Sequence, residues 1–194
     1  MKCTFASIAV LAMLFAGCST TVVRDEPKPI AVAEGAQLDM LAVAEALLEM
    51  NGTIVQGVSG SWKENAFAAE FVIKGDGGKT VIAVLAPAMR LATITLERPH
   101  SIRYERARRI PAAFEPEYVL FDIAAVNLGT EELARALGPR FTVFDDGSNR
   151  VISLKAEKPG ARNDPVAVLE RNADGTMRFV NLKRSYEYTI ANLK

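Results

Sequence analysis

Short β-branched segments separated by tight-turn residues limit the folds open to this chain more than any other feature of its sequence. Residues 80–86 and 91–96 are rich in Val, Ile and Thr, which favour strands. Turns rich in Gly, Asn or Asp, at 75–78, 145–149 and 172–175, lie between such segments and predict hairpins. Because parallel strands need crossover connections of a dozen or more residues, this spacing predicts an antiparallel meander.

Three segments interrupt the strand pattern with a helical one. Apolar residues recur at helical spacing over 37–50, and Asn51-Gly52 follows as an expected helix C-cap. Residues 116–128 begin with a proline, and residues 130–137 end before a Gly-Pro pair, as helices commonly do. With about ten strands and three helices, the expected fold class is α+β, mainly β.

The first 18 residues predict an export signal. Lys2 is followed by an apolar run over residues 4–16, which is shorter than the roughly 20 residues of a membrane-spanning helix but long enough for a signal peptide. The run ends in Phe15-Ala16-Gly17-Cys18, which resembles a bacterial lipobox. That resemblance implies cleavage before Cys18 and acylation of Cys18. With Ser19 next, it also implies delivery to the outer membrane, facing the periplasm; a plain secretory signal is the alternative.

These features divide the chain into three parts. Residues 1–17 are the expected signal peptide, residues 18–36 are the acylated cysteine and a flexible tether, and residues 37–194 are one domain. Cleavage removes Cys3 and acylation consumes Cys18, so no thiol remains for a disulfide or for catalysis. We expect a monomer that contacts the membrane through its lipid anchor.

Charge and composition exclude several classes of function. The 23 Lys and Arg residues balance 23 Asp and Glu residues, whereas nucleic-acid-binding proteins need a dominant basic field. With one His and two Cys, the chain lacks the ligands of a typical zinc site. No nucleophile, base and orienting group can be assembled, and Asp145-Asp146 is expected in a solvated turn. We therefore expect no enzyme, no metal and no cofactor.

The order of elements resembles that of the periplasmic lipoprotein carriers LolA and LolB. Residues 53–62 are similar to the opening strand of those proteins, and residues 84–91 to a strand–loop–strand segment of the LolB receptor. Residues 181–188 and the helix with Phe121-Asp122 are similar to small Gram-negative outer-membrane lipoproteins of unknown function related to LolB. The resemblance implies an incomplete, strongly curved antiparallel barrel with helices forming a lid.

A half-barrel closed by helices can enclose a cavity for acyl chains, or its own side chains can fill it. The candidate lining residues are apolar and lie on neighbouring strands and on the first lid helix: Phe67, Phe71, Ile73, Ile82, Val84, Ile94, Leu96, Leu120 and Phe121. A core role explains each of them singly, so the ligand hypothesis rests on the whole set.

Two further segments are candidates for contacts with a membrane or a cargo. The loop Pro87-Ala88-Met89 matches an exposed apolar loop of the LolB receptor, so the resemblance implies a contact with membrane or cargo; an ordinary turn is the alternative. A basic stretch is a candidate for anionic headgroups, because Arg binds phosphate with a bidentate fork, or else it is a solvated loop. Its candidate residues are Arg103, Arg106, Arg108 and Arg109.

The sequence therefore favours an outer-membrane lipoprotein that faces the periplasm. We expect it to bind an acylated or apolar ligand, either a lipid or a lipoprotein, for transfer or localisation. The alternative is a non-catalytic envelope module with a filled core, which binds or supports another protein.

Overall fold

The computed structural model describes residues 20–24, 30–33, 36–62, 65–87, 89–99, 101–106 and 115–193. The expected signal peptide and Cys18 lie outside these residues. The helices are α1 (Met40–Leu48), α2 (Pro116–Asn127) and α3 (Thr130–Leu137). The strands are β1 (Thr20–Arg24), β2 (Ile30–Ala33), β3 (Ala36–Leu38), β4 (Asn51–Trp62), β5 (Asn65–Asp76), β6 (Lys79–Ala86), β7 (Met89–Glu97), β8 (Ser101–Arg106), β9 (Phe141–Asp145), β10 (Asn149–Leu154), β11 (Asp164–Arg171), β12 (Met177–Asn181) and β13 (Tyr186–Asn192).

Eleven of the strands form one antiparallel sheet in the order β1-β8-β7-β6-β5-β4-β13-β12-β11-β10-β9. Two meanders, β4 to β8 and β9 to β13, join where β4 pairs with β13. Among the described residues no pairing connects the outer strands β1 and β9, so the curved sheet stays open. This confirms the predicted fold class, an open, curved antiparallel sheet with three helices.

The ends of the first helix differ slightly from the sequence prediction. Asp39 caps α1, since its Oδ1 accepts hydrogen bonds from the backbone N–H of Leu41 at 2.9 Å and of Ala42 at 3.4 Å. The helix therefore begins at Met40 rather than at residue 37. Asn51-Gly52 is not the C-cap but the start of β4, because the chain leaves the helix at Glu49.

The segment before α1 differs from the expected flexible tether. Strand β1 pairs with β8, from Thr20 opposite Arg106 to Arg24 opposite Ile102, and β2 pairs with β3 in a separate hairpin. The β-branched residues 20–23 favour a strand. The outer edge of β8 would otherwise present unpaired backbone groups. Pairing with β1 gives these N–H and C=O groups their hydrogen-bond partners.

Helix α2 lies inside the core. Nine of its twelve residues are buried, whereas a helix covering a surface shows one polar face. Its neighbour α1 buries one side through residues such as Val43 and Leu47. The resemblance implies helices that form a lid, over an interior that is either hollow or filled. At α2 the interior is filled, because this helix is apolar on nearly all sides and packs as a core element.

The junction of the two meanders depends on a glycine, which gives a first testable prediction. A Cβ atom at Gly60 would lie 2.2 Å from the carbonyl oxygen of Glu187 and 2.7 Å from the Cα of Tyr188, and backbone atoms paired in a sheet have little freedom to move. We expect Gly60→Ala to lower the free energy of unfolding by about 3 kcal/mol, measured by urea denaturation. Gly57→Ala is the matched control, because its Cβ would meet only the side chain of Leu193 at 3.5 Å. Equal losses in the two variants would contradict this account.

Candidate functional site

The nine candidate lining residues come together in one cluster. Eight are buried and Phe67 is half-buried and packs against them. The strands place Phe71 opposite Val84, and α2 adds Leu120 and Phe121 from above the sheet. The structure thus gathers the predicted set and uses it as hydrophobic core.

The space between α2 and the sheet, called here the helix–sheet interface, is closed. It contains a gap lined by Gln56, Val58, Phe71, Asp122, Ile123, Val126, Tyr188 and Ile190. The gap is too small to hold a water molecule. An acyl chain therefore finds room there only if α2 or the lining side chains move.

The predicted contact loop is exposed at its described positions. Pro87 is exposed, and Met89 keeps 52% of its surface accessible. Ala88 lies outside the described residues. An exposed thioether at the start of β7, directly after the turn from β6, is suited to an adaptable apolar contact.

The predicted basic stretch is only partly described. Arg103 is exposed on β8, and Arg106 ends that strand opposite Ala92 of β7. Arg108 and Arg109 lie outside the described residues. The geometry thus places two of the four arginines on a strand next to the edge of the sheet.

Asp122 is an acidic group at the centre of the helix–sheet interface. It is 4% exposed, and its Oδ2 accepts a 2.6 Å hydrogen bond from the hydroxyl of Tyr186. Its Oδ1 is buried and has no hydrogen-bond partner in the described part of the chain. Burial raises the pKa of Asp122 to about 7, although the hydroxyls of Tyr186 and Tyr188 and the amide of Asn181 oppose this rise. The carboxyl is thus close to half-ionised at neutral pH.

The partners of Asp122 come from β12 and β13. Strand alternation turns Tyr186 and Tyr188 inward, with their rings stacked at a centroid distance of 6.1 Å. The Nδ2 of Asn181 donates a 3.1 Å hydrogen bond to the Tyr186 hydroxyl. Burial and the neighbouring Asp122 charge raise the pKa of both tyrosines, so both stay protonated. The chain of donors runs from Asn181 through Tyr186 and ends at Asp122.

Sequence reasoning did not select Asp122, Asn181, Tyr186 or Tyr188 as site residues. Asp122 and Tyr186 are 64 residues apart, although both lie in the segments that carry the family resemblance. One signal was present: an aspartate interrupts the otherwise apolar run 119–126. A charged residue inside such a run is costly to bury and marks a position that needs a specific partner.

A second polar cluster holds the C-terminal end of α2. Nη1 of Arg150 donates to the carbonyl oxygens of Ala125 at 2.6 Å and Leu128 at 2.8 Å, and its Nε lies 2.7 Å from Oδ2 of Asp145. Nη1 of Arg171 lies 3.0 Å from the other oxygen. Burial raises the pKa of Asp145, but hydrogen bonds from Arg171 and Arg150 outweigh it and hold that pKa well below its ordinary value. The expected solvated turn is thus wrong for Asp145, which the arginines draw into a structural ion pair.

A third contact fixes α2 against β4 and β13. The Nε2 of Gln56 donates to Oδ1 of Asn127 at 3.1 Å and to Oδ1 of Asn192 at 3.0 Å. The Nδ2 of Asn127 also donates to the carbonyl oxygen of Ile123 at 3.0 Å. The amide groups of Gln56 and Asn127 both donate and accept hydrogen bonds here. The Oδ1 of Asp122, by contrast, has no partner among the described residues.

The described residues contain neither a cluster of metal ligands nor a helix that could span a membrane. No group of three or more His, Cys, Asp or Glu residues in the described ranges is placed to hold a metal ion. Of the three helices, none is long and apolar enough to cross a membrane.

Comparison with known proteins gives one family match. The family model described as protein of unknown function, DUF3261, matches residues 53–194, which include β4 to β13, α2 and α3. A solved structure from Vibrio parahaemolyticus, provisionally described as an outer membrane lipoprotein-sorting protein domain, is similar at 9% identity and a TM-score of 0.33, covering 79% of this chain and 90% of that chain. At that TM-score the similarity carries no argument about function. No curated protein matches the chain.

Proposed function

Because the chain belongs to the DUF3261 family of proteins of unknown function, we propose a function from its own geometry. The protein is an outer-membrane lipoprotein, anchored through Cys18 and facing the periplasm, that binds an apolar or acylated ligand by displacement of α2. The observation that carries this proposal is the unpaired Oδ1 of Asp122 at the helix–sheet interface. Leaving such a group unpaired costs about 1–3 kcal/mol, which disfavours the closed position of α2.

The energetics of this exchange suit reversible binding. Movement of α2 would uncover Val58, Phe71 and Ile190, which line the gap beneath it. An acyl chain placed there would regain the apolar contacts that the helix gives up. Since burial of apolar surface contributes roughly 25 cal/mol per Å² in either case, the closed and the ligand-filled states can lie close in free energy.

The geometry of β1 supports an arrangement with one end of the sheet towards the membrane. Thr20 is two residues after Cys18, and two extended residues span about 7 Å. Thr20 lies opposite Arg106, which lies opposite Ala92 near the start of β7. The end of the sheet that begins at Thr20 is therefore the end nearest in sequence to the expected anchor, and it also carries the exposed Met89 and the backbone of Arg106.

Native mass spectrometry of the Cys18→Ala variant tests this function. The variant removes the cysteine that is acylated, so we expect it to carry no covalent acyl group, whereas protein that retains Cys18 should carry one. Because the helix–sheet interface would still admit a ligand, we also expect acyl-containing mass on protein isolated from the cell envelope. That mass should be present under native conditions and lost on denaturation, which separates a bound ligand from covalent acylation.

Two outcomes would contradict the proposal. Protein that retains Cys18 but carries no covalent acyl mass would refute the anchor. Protein that is consistently free of acyl mass would refute the ligand, since a carrier isolated from its own envelope should retain some cargo.

A second candidate function is favoured by the outer strand β9. This strand pairs with β10 alone in the sheet, and Phe144 on it is 62% exposed. Edge strands can add a strand from a partner protein, as a non-catalytic envelope interaction module would require. Co-purification of a protein partner without acyl mass, in the same mass measurement, would favour this function over ligand binding.

A further inference from the structure

We propose that Oδ1 of Asp122 is the acceptor for the hydrogen-bond-donating head of a neutral single-chain amphiphile, bound between α2 and strands β4 and β13. Heads of this class carry a terminal hydroxyl or an amide N–H. The inference rests on the proposed function and names the chemistry by which that site selects its ligand.

The gap at the helix–sheet interface has apolar walls and polar residues at two separate places. Gln56 already pairs with Asn127 and Asn192, and Tyr188 lies opposite Gly60, four residues along β4 from Gln56. Asp122 is the lining residue whose polar atom lacks a partner among the described residues. A molecule that matches such a lining has an apolar chain and one small polar head. In the closed structure the gap has no volume for a water molecule, so the partner of Oδ1 must come with a rearrangement.

The head must donate a hydrogen bond. An ionised carboxylate only accepts, and the Tyr186 hydroxyl already donates to Oδ2. An ether or ester head would leave Oδ1 unpaired, at the cost of burying a polar group without a partner. Donation by the ligand is therefore the property that distinguishes a good head group from a poor one.

Charge favours a neutral head. An anionic head would be repelled by the Asp122 carboxylate. A cationic head would pair with the carboxylate, but it would first have to lose the hydration of a full charge. A neutral hydroxyl or amide also loses less hydration than an ion when it is buried.

Two probes that differ in one donor test the inference. We would measure displacement of the apolar dye N-phenyl-1-naphthylamine from full-chain Cys18→Ala protein at pH 8 by 1-decanol and by decyl methyl ether. We expect decanol to act at a concentration at least tenfold lower than the ether. Addition of Asp122→Asn should remove or reverse this preference, because an amide nitrogen in place of Oδ1 donates rather than accepts. Asp174→Asn, in the exposed β11–β12 turn, is the matched control and should keep it.

The outcomes separate this inference from the proposed function. Equal displacement by the two probes would overturn the inference and leave ligand binding in place. An unchanged preference in Asp122→Asn would also overturn it. Failure of both probes, together with protein free of acyl mass, would overturn both. If Asp122→Asn does not fold, the comparison of the two probes on protein that retains Asp122 still decides.

Discussion

Replacement of Arg150 by methionine should lower the free energy of unfolding by about 3–5 kcal/mol. The guanidinium is 5% exposed and pairs with a carboxylate of Asp145 that is 11% exposed, so its removal leaves a buried charge without its closest partner. The same change frees the carbonyl oxygens of Ala125 and Leu128 at the end of α2. Methionine keeps the length and the apolar stem of arginine, which limits the cavity left behind.

Urea denaturation at neutral pH would measure this loss, with Arg178→Met as the matched control. Arg178 also contacts two carboxylates, those of Glu170 and Glu187, but its side chain is 44% exposed. Exposed pairs contribute at most about 1 kcal/mol. A loss at Arg150 no larger than the loss at Arg178 would show that the cluster does not hold α2.

The free energy of unfolding should fall as the pH rises from about 4 to about 8, and Asp122→Asn should remove most of that fall. Because the pKa of Asp122 rises from an ordinary 3.8 to about 7 in the folded protein, the folded state keeps a proton that the unfolded state releases. The stabilisation is complete below the unfolded pKa and is lost as the pH passes the folded one. The full effect is on the order of 4 kcal/mol, so the variant should be the more stable of the two at pH 8.

The difference between the two pH profiles isolates this group. Tyr186 and Tyr188 from β13 and Arg184 from the β12–β13 turn act on the carboxyl but keep their charge states over this range. The pKa of Asp145 is lowered in the folded protein. Its contribution to the free energy of unfolding is therefore lost only below about pH 4, outside the range compared. Both proteins contain the sole histidine, His100, so its contribution to the free energy of unfolding cancels in the difference between the two profiles. Parallel profiles for the two proteins would contradict the assignment. Because the pKa of Asp174 is lowered by hydrogen bonds from Thr176, Asp174→Asn should change the profile only at its acid end and leave the fall between about pH 5 and 8 in place.

The elements of the fold were predictable because their signals are local. The ten strands from β4 to β13 follow from β-branched residues and tight turns, and Gly138-Pro139 ends α3 where the sequence indicates. Strand β1 was missed because its five residues become a strand only against β8, about 80 residues further along the chain. Whether the interior under α2 is hollow or filled stayed open for a related reason, since apolar residues on all sides of a helix do not say what they contact.

The candidate site was predictable only in part. Apolar residues such as Phe71 and Leu120 were expected together, and they are, but the same residues line a hollow or fill a core equally well. Asp122 depends on Tyr186, a partner that no sequence periodicity connects to it. Arg150 gained its role from the carbonyl groups at the end of α2, which are invisible in a pattern of side chains.

The pairing of β4 with β13 has a consequence for the order in which the molecule can be built. Strand β13 lies in the middle of the sheet, yet a ribosome makes it after every other described strand. Until Tyr186–Asn192 has emerged, the two meanders remain separate, with the edges of β4 and β12 unpaired and Asp122 without the tyrosine that donates to it. Such edges template wrong strand pairing, so the nascent chain is most vulnerable to aggregation in the interval just before its last strand is available.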